Sequence, residues 1–183
     1  DGPVIFAANH QGYFDGPVLF IAMPWKWRHK LAPTMRKEFF AAHFDPRQYG
    51  LFAWFTSSLN YWLSCLMFNA VPIPQREAGT RQSLRYIGEL VEEGWCPLIF
   101  PEGKHSADET IGHFQAGAAM MASRLKVPVV PIRIRGSNRV LRPGWLFPLP
   151  GIVRVRIGAP LRLEGEDYQA LARGDRTAPL CVD

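Results

Sequence analysis

Three short apolar segments, each bounded by glycine, proline or asparagine, constrain the fold of this chain more than any other feature. They are VIFAA (4–8), PLIFP (97–101) and VPVVPIRI (127–134). Short apolar runs between such breakers are typical of strands that are covered on both faces, as in parallel sheets. The sequence therefore predicts that these segments lie at the centre of a sheet.

Helical segments separate the predicted strands. Apolar residues recur at helical spacing near 16–23, 36–43, 47–65, 79–93 and 114–125. This alternation predicts an α/β fold with a central mixed, largely parallel sheet flanked by helices. The segment GIVRVRIG (151–158) alternates apolar residues with arginine, which predicts a half-exposed edge strand.

The length of the chain, 183 residues, suits a single domain over residues 1–183. Its 48% hydrophobic and 20% charged residues are typical of a folded globular protein. The chain starts at Asp1-Gly2-Pro3 with neither an initiator methionine nor a signal region, so we expect it to be part of a longer polypeptide. Residues 164–183 are expected to form a weakly ordered tail.

The net charge indicates the kind of partner, and the cysteines indicate the cellular compartment. Lysines and arginines total 21 against 16 acidic residues, so an anionic partner is favoured. The basic residues are scattered and form no nucleic-acid-binding arm, which favours a membrane or a phosphorylated substrate over nucleic acid. Cys65, Cys96 and Cys181 are widely spaced, which suggests neither a disulfide scaffold nor a zinc site and fits a reducing, intracellular location.

The segment from Gln48 to Gln75 carries no charged side chain, which by itself suggests a transmembrane helix. Its periodicity instead predicts a helix partly buried in the fold, with aromatic residues available to a membrane surface. One face carries small residues, Ala53, Ser57, Asn60 and Ser64. The opposite face carries large residues, Leu51, Phe55, Leu59, Trp62 and Leu66. The segment PWKWRHK (24–30) suits a lipid headgroup region, or else is a solvated loop with both tryptophans in the core.

A histidine and an aspartate follow the first predicted strand at close spacing, in NHQGYFDGP (9–17). Asp15, before Gly16-Pro17, is expected to cap a helix. A turn of this length can bring Asp15 back to one nitrogen of the His10 imidazole, leaving the other nitrogen facing a cleft. Such a pair can act as a general base on a substrate hydroxyl.

A second polar loop follows another predicted strand, in LIFPEGKHS (98–106). Gly103 permits close approach of a ligand to the backbone, and Lys104 and His105 can neutralise a phosphate. Arg76, in VPIPQR (71–76), offers a guanidinium fork to a phosphate or carboxylate. Because carboxyl ends of parallel strands meet at one edge, we expect both polar loops to share a site.

At these residues the sequence resembles the glycerophospholipid acyltransferase family, which includes lysophosphatidic acid acyltransferase. Four blocks carry the resemblance in order: NHQGYFD (9–15), FNAVPIPQR (68–76), FPEGKHS (100–106) and VPVVPI (127–132). They cover about residues 4–135, and VRVRIGAPL (153–161) extends the likeness. The resemblance implies the fold of a glycerol-3-phosphate acyltransferase.

The resemblance also implies an activity, transfer of a fatty acyl group from acyl-CoA or acyl carrier protein to a hydroxyl of a lysophospholipid. By analogy His10 is the general base and Asp15 orients it. The acceptor's glycerol phosphate is expected to contact Arg76, Glu102, Gly103, Lys104 and His105. No metal and no cofactor beyond the acyl carrier are expected. The expected location is the cytoplasmic face of a membrane, peripheral or anchored through segments outside residues 1–183.

The chain departs from the family pattern where Lys104-His105 replaces Thr-Arg after Pro-Glu-Gly, which exchanges a bidentate fork for a point charge and a titratable ring. Gly12 stands where serine is common, and Gln115 stands where lysine is common. A serine hydrolase would need a Gly-x-Ser-x-Gly nucleophile turn, which the sequence lacks. A non-catalytic module that binds acyl-CoA or anionic lipid stays open as the alternative.

Overall fold

The computed structural model describes residues 2–12, 14–73, 79–103, 121, 123–140 and 149–162, with the backbone alone for 79–81. Several predictions fall outside these residues. They concern Arg76, Lys104, His105, most of the helix predicted near 114–125, and the tail at 164–183.

Six strands of the described residues form one sheet. They are β1 (Ile5–Ala8), β2 (Leu31–Arg36), β3 (Val71–Ile73), β4 (Cys96–Ile99), β5 (Val129–Arg135) and β6 (Arg154–Ile157). Their spatial order is β3-β2-β4-β1-β5-β6, in which the first five are parallel and β6 runs antiparallel to β5. The predicted mixed, largely parallel sheet is confirmed, and the three apolar segments form the adjacent strands β4, β1 and β5.

Short and long helices join these strands. They are α1 (Asp15–Ala22), α2 (Trp25–Arg28), α3 (Ala41–Phe44), α4 (Leu51–Phe68), α5 (Gly79–Glu92) and α6 (Ser137–Val140), with a 3₁₀ turn over Lys37–Phe40 before α3. The helix predicted over 36–43 is wrong at its start. Arg36 is instead the last residue of β2, because this segment pairs with β3 on one side and β4 on the other.

Both faces of the sheet are covered, as the apolar segments predicted. Alternate residues of β1 point to opposite faces: Ile5 lies in a cluster with Ile87 of α5, and Phe6 lies in a cluster with Leu19 of α1. Cys96 belongs to the second cluster, and burial raises the pKa of its thiol. A buried neutral thiol behaves there as a small hydrophobic side chain.

The edge-strand prediction for GIVRVRIG is also confirmed. Among the strands of the described residues, β6 is the last in the sheet order and pairs with β5 alone. Arg154 and Arg156 are exposed, whereas Val153 and Val155 pack against the core.

The uncharged segment forms α4, whose faces divide largely as predicted. Ala53, Ser57 and Ser64 are partly buried against the protein, although Asn60 is exposed. Leu51 is 86% exposed and Phe52 is 82% exposed, so the large apolar side chains lie on the outside. None of the helices in the described part of the chain is long and apolar enough to cross a membrane.

The two tryptophans of PWKWRHK separate into different environments. This segment forms the single turn α2, in which Trp27 packs edge-on against Phe6 with ring centroids 5.9 Å apart. Trp25 is 69% exposed. The structure therefore packs Trp27 against the core and leaves Trp25 on the surface.

Candidate active site

The residues that follow β1, β4 and β5 lie at a common edge of the sheet. These three strands are adjacent and parallel, so their carboxyl ends point the same way. His10 follows β1, Glu102 follows β4, and Ser137 follows β5. The two polar loops singled out in the sequence are in contact, since the backbone N–H of His10 donates to Glu102 Oε1 at 3.1 Å.

Asn9 fixes the point where the chain leaves β1. Its side-chain amide donates from Nδ2 to the carbonyl of Ile134 at 3.0 Å, and its Oδ1 accepts the Ile134 N–H at 2.6 Å. Both groups are buried. This paired contact extends the β1–β5 pairing by a side chain and sets the position of the next residue, His10.

The imidazole of His10 contacts the carboxylate of Asp15, the arrangement that the five-residue spacing predicted. His10 Nδ1 lies 2.8 Å from Asp15 Oδ2. The Asp15 side chain is fully buried, whereas the His10 side chain is 20% exposed. Because a carboxylate accepts hydrogen bonds, Nδ1 is the ring nitrogen that carries the proton here, and Nε2 is the nitrogen with the basic lone pair.

Asp15 is not the helix cap that the sequence suggested. It is the first residue of α1, and the capping position belongs to Phe14, which makes no side-chain capping bond. Instead, Asp15 Oδ2 accepts the backbone N–H groups of Gln11 at 2.6 Å and Gly12 at 2.9 Å. The carboxylate therefore organises the turn between β1 and α1 while it holds the imidazole.

An aromatic ring sets the plane of the His10 imidazole. Phe100 stacks on it with ring centroids 4.2 Å apart and an interplanar angle of 22°. Sequence reasoning missed this role, although Phe100 directly precedes the Pro-Glu-Gly segment. Stacking on one side and a hydrogen bond to Asp15 leave the imidazole little rotational freedom.

Glu102 and Gly103 lie beside His10, at the edge where the sequence placed them. Glu102 is buried and accepts the His10 N–H, so it joins the two loops. Gly103 adopts a left-handed φ of 63°, which favours glycine. Its carbonyl accepts a hydrogen bond from the Arg36 guanidinium. Arg36 was missed because the sequence placed it in a helix rather than at the carboxyl end of β2.

Ser137, which follows β5, also contacts this site. Its Oγ donates to Asp15 Oδ1 at 2.5 Å and lies 3.3 Å from Gln11 Oε1. Ser137 is buried. Sequence reasoning missed this residue, and the available signal was a Gly-Ser pair one residue after the apolar segment VPVVPIRI.

The assembled groups suit proton transfer. A histidine whose Nδ1 is held by a buried carboxylate can accept a proton at Nε2, and the carboxylate stabilises the imidazolium that forms. Within the described residues, no group of three His, Cys, Asp or Glu side chains could hold a metal ion. The predicted contacts of Arg76, Lys104 and His105 lie outside the residues described.

Known proteins resemble this chain in sequence. Residues 1–135 match the profile of the family described as Acyltransferase. A chloroplastic 1-acyl-sn-glycerol-3-phosphate acyltransferase, BAT2 of Brassica napus, is 28% identical over 164 residues, which cover 88% of this chain and 41% of the relative. A 1-acyl-sn-glycerol-3-phosphate acyltransferase of Pseudomonas aeruginosa is 29% identical over 113 residues, which cover 62% of this chain and 44% of the relative. The chain thus spans less than half of either relative.

A solved structure shares the fold. The crystal structure of the 1-acyl-sn-glycerophosphate (LPA) acyltransferase PlsC from Thermotoga maritima aligns with a TM-score of 0.63 and 23% sequence identity. The alignment covers 97% of this chain and 66% of that protein.

Proposed function

This chain belongs to the Acyltransferase family, and on that premise we propose that it transfers a fatty acyl group to a hydroxyl of a lysophospholipid, such as 1-acylglycerol 3-phosphate. The acyl donor in this proposal is acyl-CoA or acyl carrier protein, with no further cofactor. The observation that carries the proposal is the 2.8 Å contact between His10 Nδ1 and the buried carboxylate of Asp15.

The reaction proceeds without a covalent intermediate on the protein. The acceptor hydroxyl gives its proton to His10 Nε2 as its oxygen attacks the thioester carbonyl carbon. The resulting tetrahedral intermediate collapses, the carbon–sulfur bond breaks, and the departing thiolate takes the proton from the imidazolium. Asp15 stabilises the imidazolium between these two transfers, so its buried negative charge lowers both barriers.

The acceptor's glycerol phosphate binds at the same edge of the sheet, through Arg76, Glu102, Gly103, Lys104 and His105. Glu102 and Gly103 support this placement because they lie just beyond the carboxyl end of β4, and Glu102 accepts the His10 N–H. Arg36 brings a further positive charge to this edge through its contact with the Gly103 carbonyl. A phosphate held here leaves the acceptor hydroxyl near the base.

The unusual Lys104-His105 pair predicts weaker preference for a phosphate monoester over other headgroups. A lysine ammonium lacks the bidentate fork with which arginine recognises phosphate. The double variant Lys104→Thr/His105→Arg is therefore expected to raise kcat/KM for 1-acylglycerol 3-phosphate relative to lysophospholipids with larger headgroups. Competition assays with a lysolipid panel measure this ratio. Equal relative rates in the two proteins would contradict the proposed headgroup contact.

The outer face of α4 is the proposed contact with a membrane surface, on the cytoplasmic side. Its exposed residues include Leu51, Phe52, Phe55 and Leu66, and Trp25 is exposed on α2. Lys26, on α2, and Lys37, in the 3₁₀ turn, add positive charge. Exposed aromatic and aliphatic side chains next to cations match the polar–apolar boundary of an anionic bilayer. Peripheral binding here, or an anchor outside residues 1–183, would deliver lysophospholipid to the site.

Polar substitution on this face tests the membrane proposal. The triple variant Phe52→Ser/Phe55→Ser/Leu66→Ser is expected to weaken binding to phosphatidylcholine–phosphatidylglycerol vesicles by at least about 10³-fold, because each large side chain gains about 1.5–3 kcal/mol on full burial and the three together therefore lose about 4.5 kcal/mol or more. Co-sedimentation measures the change. Ile152→Ser is the matched control, since Ile152 is 75% exposed but precedes β6, at the edge of the sheet opposite β3, the strand that follows α4. Equal losses in both proteins would contradict a specific role for α4.

Product mass spectrometry tests the proposed reaction as a whole. The purified chain is incubated with mixed acyl-CoAs and a panel of lysolipids, and both acylated lipid and released thiol are measured. Acyl transfer requires the two products in equal amounts. A protein that binds vesicles and acyl-CoA but releases no thiol would instead be the non-catalytic lipid-binding module.

A further inference from the structure

The buried hydroxyl of Ser137 contacts the carboxylate that holds His10. Ser137 Oγ lies 2.5 Å from Asp15 Oδ1, whereas His10 Nδ1 contacts the other oxygen, Oδ2. Ser137 is 1% exposed and Asp15 is 0% exposed. The contact with Asp15 connects Ser137 to His10.

The Ser137 hydroxyl donates its hydrogen to Asp15. Two acceptors are within reach, Asp15 Oδ1 at 2.5 Å and Gln11 Oε1 at 3.3 Å. The charged and closer oxygen is the stronger acceptor. The Nε2 of Gln11 is buried and has no partner among the described residues. The opposite orientation of this amide would direct Nε2 at the Ser137 lone pair and complete a chain of donors from Gln11 to Asp15.

The turn after β5 fixes where Ser137 lies. Gly136 adopts a left-handed φ of 88°, and a Cβ at this position would lie 2.5 Å from the Ile152 carbonyl oxygen. Such an approach admits only glycine. The turn therefore places the Ser137 hydroxyl beside the end of β1. There it contacts Asp15, which is 122 positions away in the sequence.

Ser137 restrains a rotation of the Asp15 carboxylate that the other hydrogen-bond donors to Asp15 do not restrain. The Gln11 and Gly12 N–H groups fix the location of Asp15 Oδ2. The location of Oδ1 then sets the plane of the carboxylate, and with it the direction in which Oδ2 accepts from His10. Rotation about the terminal torsion of an aspartate is soft, so this plane needs a partner of its own.

We propose that Ser137 is a positioning residue for acyl transfer, which orients Asp15 and through it the His10 imidazole. This role rests on the proposed function for its effect on rate, but the orientation of His10 is a property of the protein without substrate. Kinetics and spectroscopy therefore test the two separately.

The kinetic test is Ser137→Ala. We expect kcat to fall by about 10- to 100-fold, the change that corresponds to losing one hydrogen bond to a charged group. The KM for acyl-CoA and for lysophospholipid is expected to stay the same, because Ser137 is buried behind Asp15. Ser137→Thr keeps the hydroxyl and is expected to restore most of kcat. Thr34→Val is the matched control, since it removes a hydroxyl that donates to the Leu98 carbonyl elsewhere in the sheet.

The spectroscopic test uses proton NMR on the protein without substrate. The Nδ1–H proton of His10 is expected as a far-downfield resonance, absent from His10→Gln, that broadens or shifts upfield in Ser137→Ala and returns in Ser137→Thr. If Ser137→Ala does not fold, Ser137→Cys replaces it, because a thiol is a weak donor of similar shape. An unchanged resonance in the variant, or no such resonance in the wild type, would overturn the proposal.

The two proposals fail in different ways. A wild-type protein without acyl transfer, but with a His10 resonance that depends on Ser137, would refute the proposed function and support the positioning role. Active protein in which Ser137→Ala retains full kcat would refute the positioning role alone. A rise in KM at constant kcat would also refute it, since it would assign Ser137 to substrate binding.

Discussion

Replacement of His10 by alanine is expected to lower the rate of acyl transfer by about 10²- to 10⁴-fold, which corresponds to ~3–5 kcal/mol of transition-state stabilisation. In the proposed mechanism, the variant removes the nitrogen that accepts the proton of the acceptor hydroxyl. It leaves Asp15 Oδ2 with the backbone donors of Gln11 and Gly12, so the turn is expected to keep its structure. Thiol release from acyl-CoA in the presence of lysophospholipid measures the loss.

Two comparisons make the His10 result specific. His29→Ala removes an exposed imidazole that contacts Trp25 and lies outside the site, and it is expected to retain the wild-type rate in detergent. Added imidazole is expected to restore part of the activity of His10→Ala, because the lost ring leaves space beside Asp15. Undiminished transfer by purified His10→Ala would remove the basis of the proposed mechanism.

Asp15→Asn is expected to reduce kcat by up to about 10⁴-fold while the protein remains folded, as for other aspartates that orient a catalytic histidine. The amide has nearly the shape of the carboxylate, and its oxygen can still accept from Gln11 and Gly12. Ser137 can rotate its hydroxyl to accept from the new amide nitrogen. What disappears is the negative charge beside His10, so the imidazolium loses its stabilisation.

Circular dichroism and kinetics on the same preparation separate these effects. A folded Asp15→Asn protein with low kcat supports the electrostatic role of Asp15, and Asp45→Asn, on the C-terminal cap of α3, is the matched control. Full activity in folded Asp15→Asn would show that the buried charge is unnecessary. The acyl transfer mechanism would then need another group to stabilise His10.

The parts of the fold that were predictable depend on local patterns. VIFAA, PLIFP and VPVVPIRI are apolar on both faces of an extended chain, so they became the adjacent strands β1, β4 and β5. β2 and β3 were not located, since β2 includes the polar residues Thr34 and Arg36 and β3 is only three residues long. Their pairing with one another and of β2 with β4 decides that they are strands.

The candidate site also combines residues that the sequence predicted with residues that it did not. His10 and Asp15 are five positions apart, so a single turn is enough to join them, and the sequence displays that turn directly. The other contacts of the site come from residues far from His10 in the sequence. The separations are 90 positions for Phe100, 26 for Arg36 and 127 for Ser137. No spacing rule connects residues so distant, because loops of such length have no preferred end-to-end geometry of their own.

The sequence by itself determined which strands are central, that the sheet is largely parallel, and that a histidine and an aspartate stand together at a carboxyl end. These features arise from the alternation of side chains along an extended backbone and from one short turn. Only the tertiary structure decided which donors hold Asp15 and which ring stacks on His10. Those contacts depend on the order of strands in the sheet, which is set by packing energies summed over the whole chain rather than by any single segment.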